Sequence, residues 1–290
     1  MKKLIMTQKN SFKIYFICLL AVLNIFVWYS VFREDRGGIL TVSFLDVGQG
    51  DSIFIDVPNG NQVLLDGGPD KKVLRELGGV MPFYDRSIDL VALSHPHEDH
   101  ITGLVEIPSR YSVLGFLSSG TRVNTPQYVV LKDEIKKYGI ADIVAKRGMK
   151  INLGSGVCLE VLLPFKDVSN STPHEGMMVL RLVYGKTAIV LTGDMEKDLE
   201  GNLVYFYGQK LKSDVLKVGH HGSKNSTSEA FLGNISPKYA VISVGKGNMY
   251  GHPKPETIKI LSDFGVGTFR TDEDGRVTML SDGENISIKK

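Results

Sequence analysis

Only two cysteines occur in the 290 residues, Cys18 and Cys158, and there is no Cys-x-x-Cys pair. That excludes a disulfide framework and a thiolate zinc site, so any metal must sit on histidine and carboxylate. The chain also lacks a Gly-x-Ser-x-Gly elbow and a Gly-x4-Gly-Lys loop, which leaves no basis for a serine hydrolase or a P-loop nucleotidase. No repeat of solenoid period is visible. Hydrophobic residues make up 42% and charged residues 23%, which excludes a disordered or fibrous chain.

Acidic residues are missing before Glu34, and this absence has a topological meaning. Ile14 to Phe32 is an uncharged, Leu-, Ile-, Val- and Phe-rich run, preceded by Lys2, Lys3, Lys9 and Lys13. As a helix it would be roughly 28 Å long, against the ~30 Å hydrocarbon core of a bilayer. Positive charge stays on the cytoplasmic side, so residues beyond the span are expected outside the cytoplasm. Trp28 and Tyr29 suit the far interface. Secretion after signal cleavage is the alternative, but no small-x-small site follows the run, and Phe16-Ile17-Cys18 does not form a lipoprotein box. The expected organisation is a basic cytoplasmic N-terminus (1–13), a transmembrane anchor (14–32), a hinge (33–38) and one domain (39–290).

Five of the 34 basic residues lie in positions 1–33, leaving 29 against 32 acidic ones, net −3, in the remainder. A domain that holds nucleic acid mainly by neutralising phosphates should be basic, and this one is not. Lys132, Lys136, Lys137, Lys146, Arg147 and Lys150 form a local basic run that reads as a solvated helix face and turn.

Ile39–Val47, Ser52–Val57 and Gln62–Asp66 are β-rich runs separated by turn signals, expected to be antiparallel neighbours. Buried strands then alternate with helices: Ile88–Ser94, a helix near His100, Val113–Leu117, a helix over Gln127–Tyr138. A second cluster of strands (Gly156–Leu163, Met177–Tyr184, Thr187–Leu191) is again followed by alternation: a helix from Glu196, strand Asp214–Val218, a helix from Ser228, strand Tyr239–Val244, a helix from Pro255 and terminal strands. Two such halves predict two sheets packed face to face with helices outside.

The chemistry is concentrated in Ser94-His95-Pro-His97-Glu-Asp99-His100-Ile-Thr-Gly103. A buried strand ends and four metal-ligating side chains follow within six residues, just before a helix. By chance such a spacing arises in roughly one chain in ten thousand of this length. His95 and His97 can point one way from an extended turn while Asp99 and His100 face a second position, so one loop can serve two ions. Imidazole and carboxylate suit Zn²⁺, with Mn²⁺ and Fe²⁺ compatible.

This segment resembles the signature of the metallo-β-lactamase superfamily. The resemblance implies an αββα four-layer sandwich. It also implies a third histidine for the first ion (His174), a carboxylate bridging both ions (Asp194 in Leu-Thr-Gly-Asp194), and a last histidine after a later strand, where His220 and His221 stand together. Phe44-Leu-Asp46-Val-Gly-Gln-Gly-Asp51-Ser, Leu65-Asp66-Gly-Gly, His220-His221-Gly-Ser223 and Tyr250-Gly-His252-Pro further resemble the exported hydrolase domain of ComEC competence proteins and phosphorylcholine-esterase-like relatives. One apolar span stands where ComEC proteins carry a multi-helix channel, so DNA uptake is not implied. The second signature histidine and His174, absent from many competence homologues, are both present.

The expected function is a dinuclear hydrolase in which two bridged dications bring a shared water toward ionisation at neutral pH. The bond is expected to be a phosphodiester of nucleic acid or of a phosphate-bearing envelope polymer. A non-catalytic DNA- or wall-polymer-binding module and a carboxyl-ester or lactam hydrolase are the alternatives. Of the adjacent pair, His220, first off its strand, is expected as the ligand, leaving His221 for proton delivery or packing. Asp99 would orient the attacking water besides binding metal. His252 is expected against substrate phosphate or as a plain loop residue, and Ser223 and Lys224 at an anionic group or in a helix-leading loop. Asp66 would orient a ligand histidine, and Asp46 and Asp51 would fix a turn beneath the site.

Overall fold

The computed structural model describes residues 2–34 and 36–289, with side chains described for 12–29 and 36–289. The side chains of Lys2, Lys3 and Lys9, on which the expected charge asymmetry rests, lie outside the described residues. So does Asp35 of the expected hinge. Residues 1–37 and 38–290 form two compact units.

The first unit is helix α1 (Lys2–Glu34), which begins ahead of the expected span and runs into the expected hinge. Within it Phe12–Tyr29 is long and apolar enough to cross a membrane by length and composition. Its apolar side chains, among them Phe12, Ile17, Leu23 and Trp28, are exposed. A helix that is hydrophobic on every side has no single face to bury against a protein core, and its composition matches hydrocarbon.

In the second unit the strands are, in chain order, β1 (Leu40–Phe44), β2 (Ile53–Asp56), β3 (Gln62–Leu65), β4 (Ser87–Leu93), β5 (Ser112–Ser118), β6 (Ala141–Val144), β7 (Lys150–Gly154), β8 (Val157–Leu163), β9 (Val179–Tyr184), β10 (Thr187–Leu191), β11 (Val215–Lys217), β12 (Tyr239–Ile242), β13 (Gly267–Arg270), β14 (Val277–Ser281) and β15 (Ile286–Lys289). The helices are α2 (Lys72–Val80), α3 (Glu98–Ile101), α4 (Ile107–Arg110), α5 (Pro126–Lys137), α6 (Lys197–Tyr207), α7 (Glu229–Ile235), α8 (Pro255–Asp263) and α9 (Thr271–Asp274). One sheet runs β15-β14-β1-β2-β3-β4-β5-β6, the other β13-β12-β11-β10-β9-β8-β7. In each, an antiparallel part (β1–β3, β7–β10) passes into a parallel part (β3–β6, β10–β13).

The period-two pattern of the strands makes the layers. Val42, Phe44, Ile53, Ile55, Val63 and Leu65 of the first sheet meet Leu180, Ile189, Leu191, Val215 and Val241 of the second in one core between the sheets. The alternate residues Phe54 and Leu64 turn outward under Leu77, Ile107, Leu131 and Ile135 of α2, α4 and α5. Val190, Leu216, Ala240 and Ile242 do the same under Leu203, Phe231, Leu232 and Leu261 of α6, α7 and α8. A one-residue slip would exchange these faces, each large side chain being worth about 1.5–3 kcal/mol of burial. The fold is thus the expected αββα sandwich. Strands β6 and β7 were not foreseen: the first is exposed at a sheet edge and the second is polar at alternate positions, so neither shows a buried-strand pattern. Helix α2, with Gly78 and Gly79, buries only Val73 and Leu77 and escapes the same reading.

Candidate metal centre

The polar loops of both sheets gather at one end of the sandwich, where β3, β4, β10 and β11 release Asp66, His95, Asp194 and His221 from their carboxyl ends. Opening a parallel strand pair there leaves a crevice, the usual place for a ligand in such sheets. Asp66 is buried, with φ 60°. Its Oδ1 accepts from the Ser94 amide at 2.7 Å, and Oδ2 accepts from the Ser94 hydroxyl (2.7 Å) and His100 Nδ1 (2.9 Å). Asp66 therefore orients His100 and leaves its Nε2 facing the cleft, as read from sequence. This contact needs Gly67 and Gly103, because a Cβ on Gly103 would lie 1.9 Å from the Gly67 carbonyl oxygen.

Two groups of donor atoms result. In the first, His95, His97 and Asp194 offer one atom each within 4.8 Å; in the second, Asp99, His100, Asp194 and His221 do the same. Asp194 belongs to both. Its Oδ2 lies 3.8 Å from His95 Nε2, and its Oδ1 lies 3.3 Å from both His100 Nε2 and His221 Nε2. The His174 ring packs on His97, centroids 4.6 Å apart, on the side of the first group. His100 Nε2 and Asp194 Oδ1 are buried with no hydrogen-bond partner, as is His174 Nδ1. Buried polar atoms left so are costly, and divalent cations would satisfy them. The donor set is nitrogen and oxygen only, and it fits two cations of the Zn²⁺ type.

The adjacent histidines are placed against expectation. His221, not His220, joins Asp99, His100 and Asp194. His220 Nε2 is 3.9 Å from Asp194 Oδ2, and its Nδ1 meets Glu196 Oε1 at 3.0 Å. The expectation rested on His220 coming first off its strand. Instead His220, His221 and Gly222 all have positive φ (46°, 52° and 80°). Left-handed backbone costs a non-glycine residue about 1–3 kcal/mol and reverses the side-chain direction. Local bonds hold it: the His220 amide donates to the Gly193 carbonyl (3.2 Å) and the Ser223 amide to the His220 carbonyl (2.8 Å). His221 Nδ1 donates to the Ser243 carbonyl at 2.8 Å, so its Nε2 points at the second group.

Of the other expected residues, His252 lines the cleft with Tyr250 and Gln49, a space of about 270 Å³. Its ring stacks on Tyr250 with centroids 5.8 Å apart, and Asn248 fixes its backbone. Asp46 accepts from the Gly48 amide in a turn. Ser223 and Lys224 lie in the turn leading to α7, where the Lys224 carbonyl accepts from Lys197 Nζ. Sequence reasoning missed Glu196, Gln49 and Lys217, the last a wholly buried lysine on β11. Its one readable signal was a lysine set between Leu216 and Val218 in an otherwise apolar run.

The charges follow the geometry. Burial lowers His95 well below the ordinary imidazole value and lowers His97 also, the latter helped by His174, so both present free lone pairs. Burial opposes charge on His221 too, but the Asp194 and Asp99 carboxylates outweigh it and raise it to about 10. His100 moves well upward for the same reason, with Asp194 and Asp66 overcoming burial. Asp99, despite burial, is held at about 2 by His221 and His100.

In the metal-free protein a proton thus competes for His221 Nε2 at every pH below about 10. Metal affinity should therefore climb with pH from 6 to 8, by up to about tenfold per unit for each proton displaced. Chelator-competition titrations at several pH values would measure this, and an affinity flat across that range would contradict it.

A helix-flanked double sheet with a histidine–carboxylate centre at its strand ends defines a metal-dependent hydrolase fold. The chain belongs to the Metallo-beta-lactamase superfamily, whose profile matches residues 45–246. ComE operon protein 3 of Bacillus subtilis is 29% identical over 278 residues, covering 90% of this chain and 35% of its own length. Competence protein ComA of Neisseria gonorrhoeae is 32% identical over 239 residues, covering 81% of this chain and 31% of the relative. The chain spans about a third of these curated relatives. They bear out the competence-family resemblance read from the motifs. Among solved structures, Igni18, a metallo hydrolase of the archaeon Ignicoccus hospitalis, superposes with a TM-score of 0.53 at 16% identity, covering 82% of this chain and 98% of that one. At that identity the likeness shows the fold alone.

Proposed function

We propose that the chain is a membrane-anchored phosphodiesterase with two metal ions, acting outside the cytoplasm on nucleic acid or an anionic envelope polymer. Residues 14–32 would be the anchor and 39–290 the hydrolase domain. The observation that carries the dinuclear reading is Asp194, whose two oxygens face the two donor groups separately. His95, His97 and His174 would hold one ion, and Asp99, His100 and His221 the other, with Asp194 between. When bound, such ions supply Lewis acidity and a water acidified toward neutral pH.

The remaining chemistry belongs to side chains. Asp99, held as a carboxylate, accepts a hydrogen bond from the attacking water and orients it. His220, half-buried at the cleft and tied to Glu196, takes the proton-delivery role that sequence reasoning gave to His221. His252 and Tyr250 face the same space and would position a phosphate or the group it carries.

A second groove, of about 670 Å³, supports a polyanionic substrate. Arg122, Lys146, Arg147 and Lys166 line it, and none of them enters an ion pair among the described residues. Its wall is joined to the metal centre by the loop carrying His174, since the Arg122 amide donates to Ser169 and the Thr121 hydroxyl to Gly176. This local patch offsets the domain's net negative charge where a polymer would lie.

The test is hydrolysis of bis-p-nitrophenyl phosphate by the chain in detergent micelles, stripped of metal and then reloaded with Zn²⁺ or Mn²⁺. Release is expected only with metal. Arg122→Glu with Arg147→Glu should raise KM for an oligonucleotide about tenfold while leaving the small ester unchanged. A two-metal protein that cleaves carboxyl esters and no phosphodiester would overturn the assignment.

A further inference from the structure

We propose that Lys217 is a positioning residue for the second ion, a fixed internal cation that neutralises Asp51 and so keeps His100, His221 and Asp194 aimed at that ion. The inference rests on the two-ion reading given above.

Lys217 ends β11 with its side chain fully buried. On that strand Val215 faces the core between the sheets and Leu216 the helix layer, so the alternation returns Lys217 to the inter-sheet side. There its ammonium lies 2.5 Å from Asp51 Oδ2 and donates to the Gly193 carbonyl at 3.1 Å. Asp51 comes from the β1–β2 loop of the opposite sheet, so the pair clamps the two sheets at the floor of the centre.

Each end of this clamp touches a metal-binding element. Gly193 immediately precedes Asp194. The Asp51 amide donates to the Asp99 carbonyl at 3.2 Å. Asp51 Oδ1 lies 3.5 Å from His221 Nδ1, and Oδ2 lies 3.9 Å from His100 Nδ1. Asp51, Asp66 and His100 also offer atoms within 4.8 Å of one another, a third negative locus beneath the two donor groups. An unneutralised Asp51 there would compete with Ser243 and Asp66 for the Nδ1–H groups that orient His221 and His100, and would attract a cation to the wrong side of His100. An ammonium fixed against Asp51 prevents both, at no cost in a mobile ion. Buried charge is tolerated only where it is paired in this way.

The experiment is metal stoichiometry by native mass spectrometry and stepwise affinity by chelator competition with Zn²⁺, on the whole chain in detergent. Lys217→Met should weaken the second ion about 10–100-fold, the range found when a supporting contact behind a ligand is lost. Asp51→Asn combined with Lys217→Met removes both charges and should recover most of that loss, a rescue that a purely structural lysine would not give. Lys217→Met failing to fold while the double variant folds and binds two ions supports the proposal equally. Wild-type affinity in Lys217→Met overturns it, as does a double variant that folds yet binds as weakly as the single one, or that does not fold. Fewer than two ions on the unmodified chain would instead refute the two-ion reading, a result visible before any variant is made.

Discussion

Replacing Asp194 with alanine is expected to remove both ions together and to lower kcat/KM by about a thousandfold or more, equivalent to ~4 kcal/mol of transition-state stabilisation. The size follows from position: one carboxylate faces both donor groups, so no single-ion enzyme should survive its loss. Asp194 is also held well below the ordinary carboxylate range, because His221 and His100 outweigh its burial. In the metal-free state it therefore contributes stability above the usual carboxylate pKa, and that contribution is lost as the pH falls through its depressed value. Removing it strands buried imidazoles and should lower the melting temperature of the apo-protein, so Asp194→Asn serves as the isosteric control. Metal content by mass spectrometry and ester hydrolysis on the same sample check both effects. Two tightly bound ions in folded Asp194→Ala would remove the bridging assignment.

The second large effect separates the adjacent histidines. His221→Ala should leave one ion bound and reduce activity about a thousandfold, since its Nε2 faces Asp99 and Asp194 at 3.2 and 3.3 Å. His220→Ala should keep both ions. Its loss should depend on the leaving group: roughly a hundredfold for an alkoxide, which needs a proton, and little for p-nitrophenolate, which does not. The two variants are thus distinguished by metal count as well as by rate. If His220→Ala lost an ion and His221→Ala kept both, the left-handed turn after β11 would not be the arrangement that binds metal.

Asp66 and the groups around it show how far the chain could be read in advance. Its position at a strand end before two glycines marked it as a support for a ligand histidine, and it accepts from His100 Nδ1. The alternation Val42, Phe44 and then Ile53, Ile55 likewise announced two strands that turn one face to a common core, because period-two burial is written directly into residue order. Edge strands such as β6 escape this kind of reading. Their side chains are exposed, and only pairing to β5 makes them strands.

The sequence by itself determined which histidines and carboxylates were candidates, the alternating strands, the apolar helix and the charge left on the domain. These depend on side-chain chemistry and local periodicity, which need no knowledge of distant neighbours. Only the tertiary structure decided that His221 rather than His220 joins Asp99, that Lys217 meets Asp51 across the sandwich, and that Arg122 and Arg147 share one groove. Each depends on a backbone turn or on a contact between residues far apart in the chain. Burial in a common low-dielectric floor is what gives the His221 and Lys217 contacts their strength, and burial exists only once the sheets have packed.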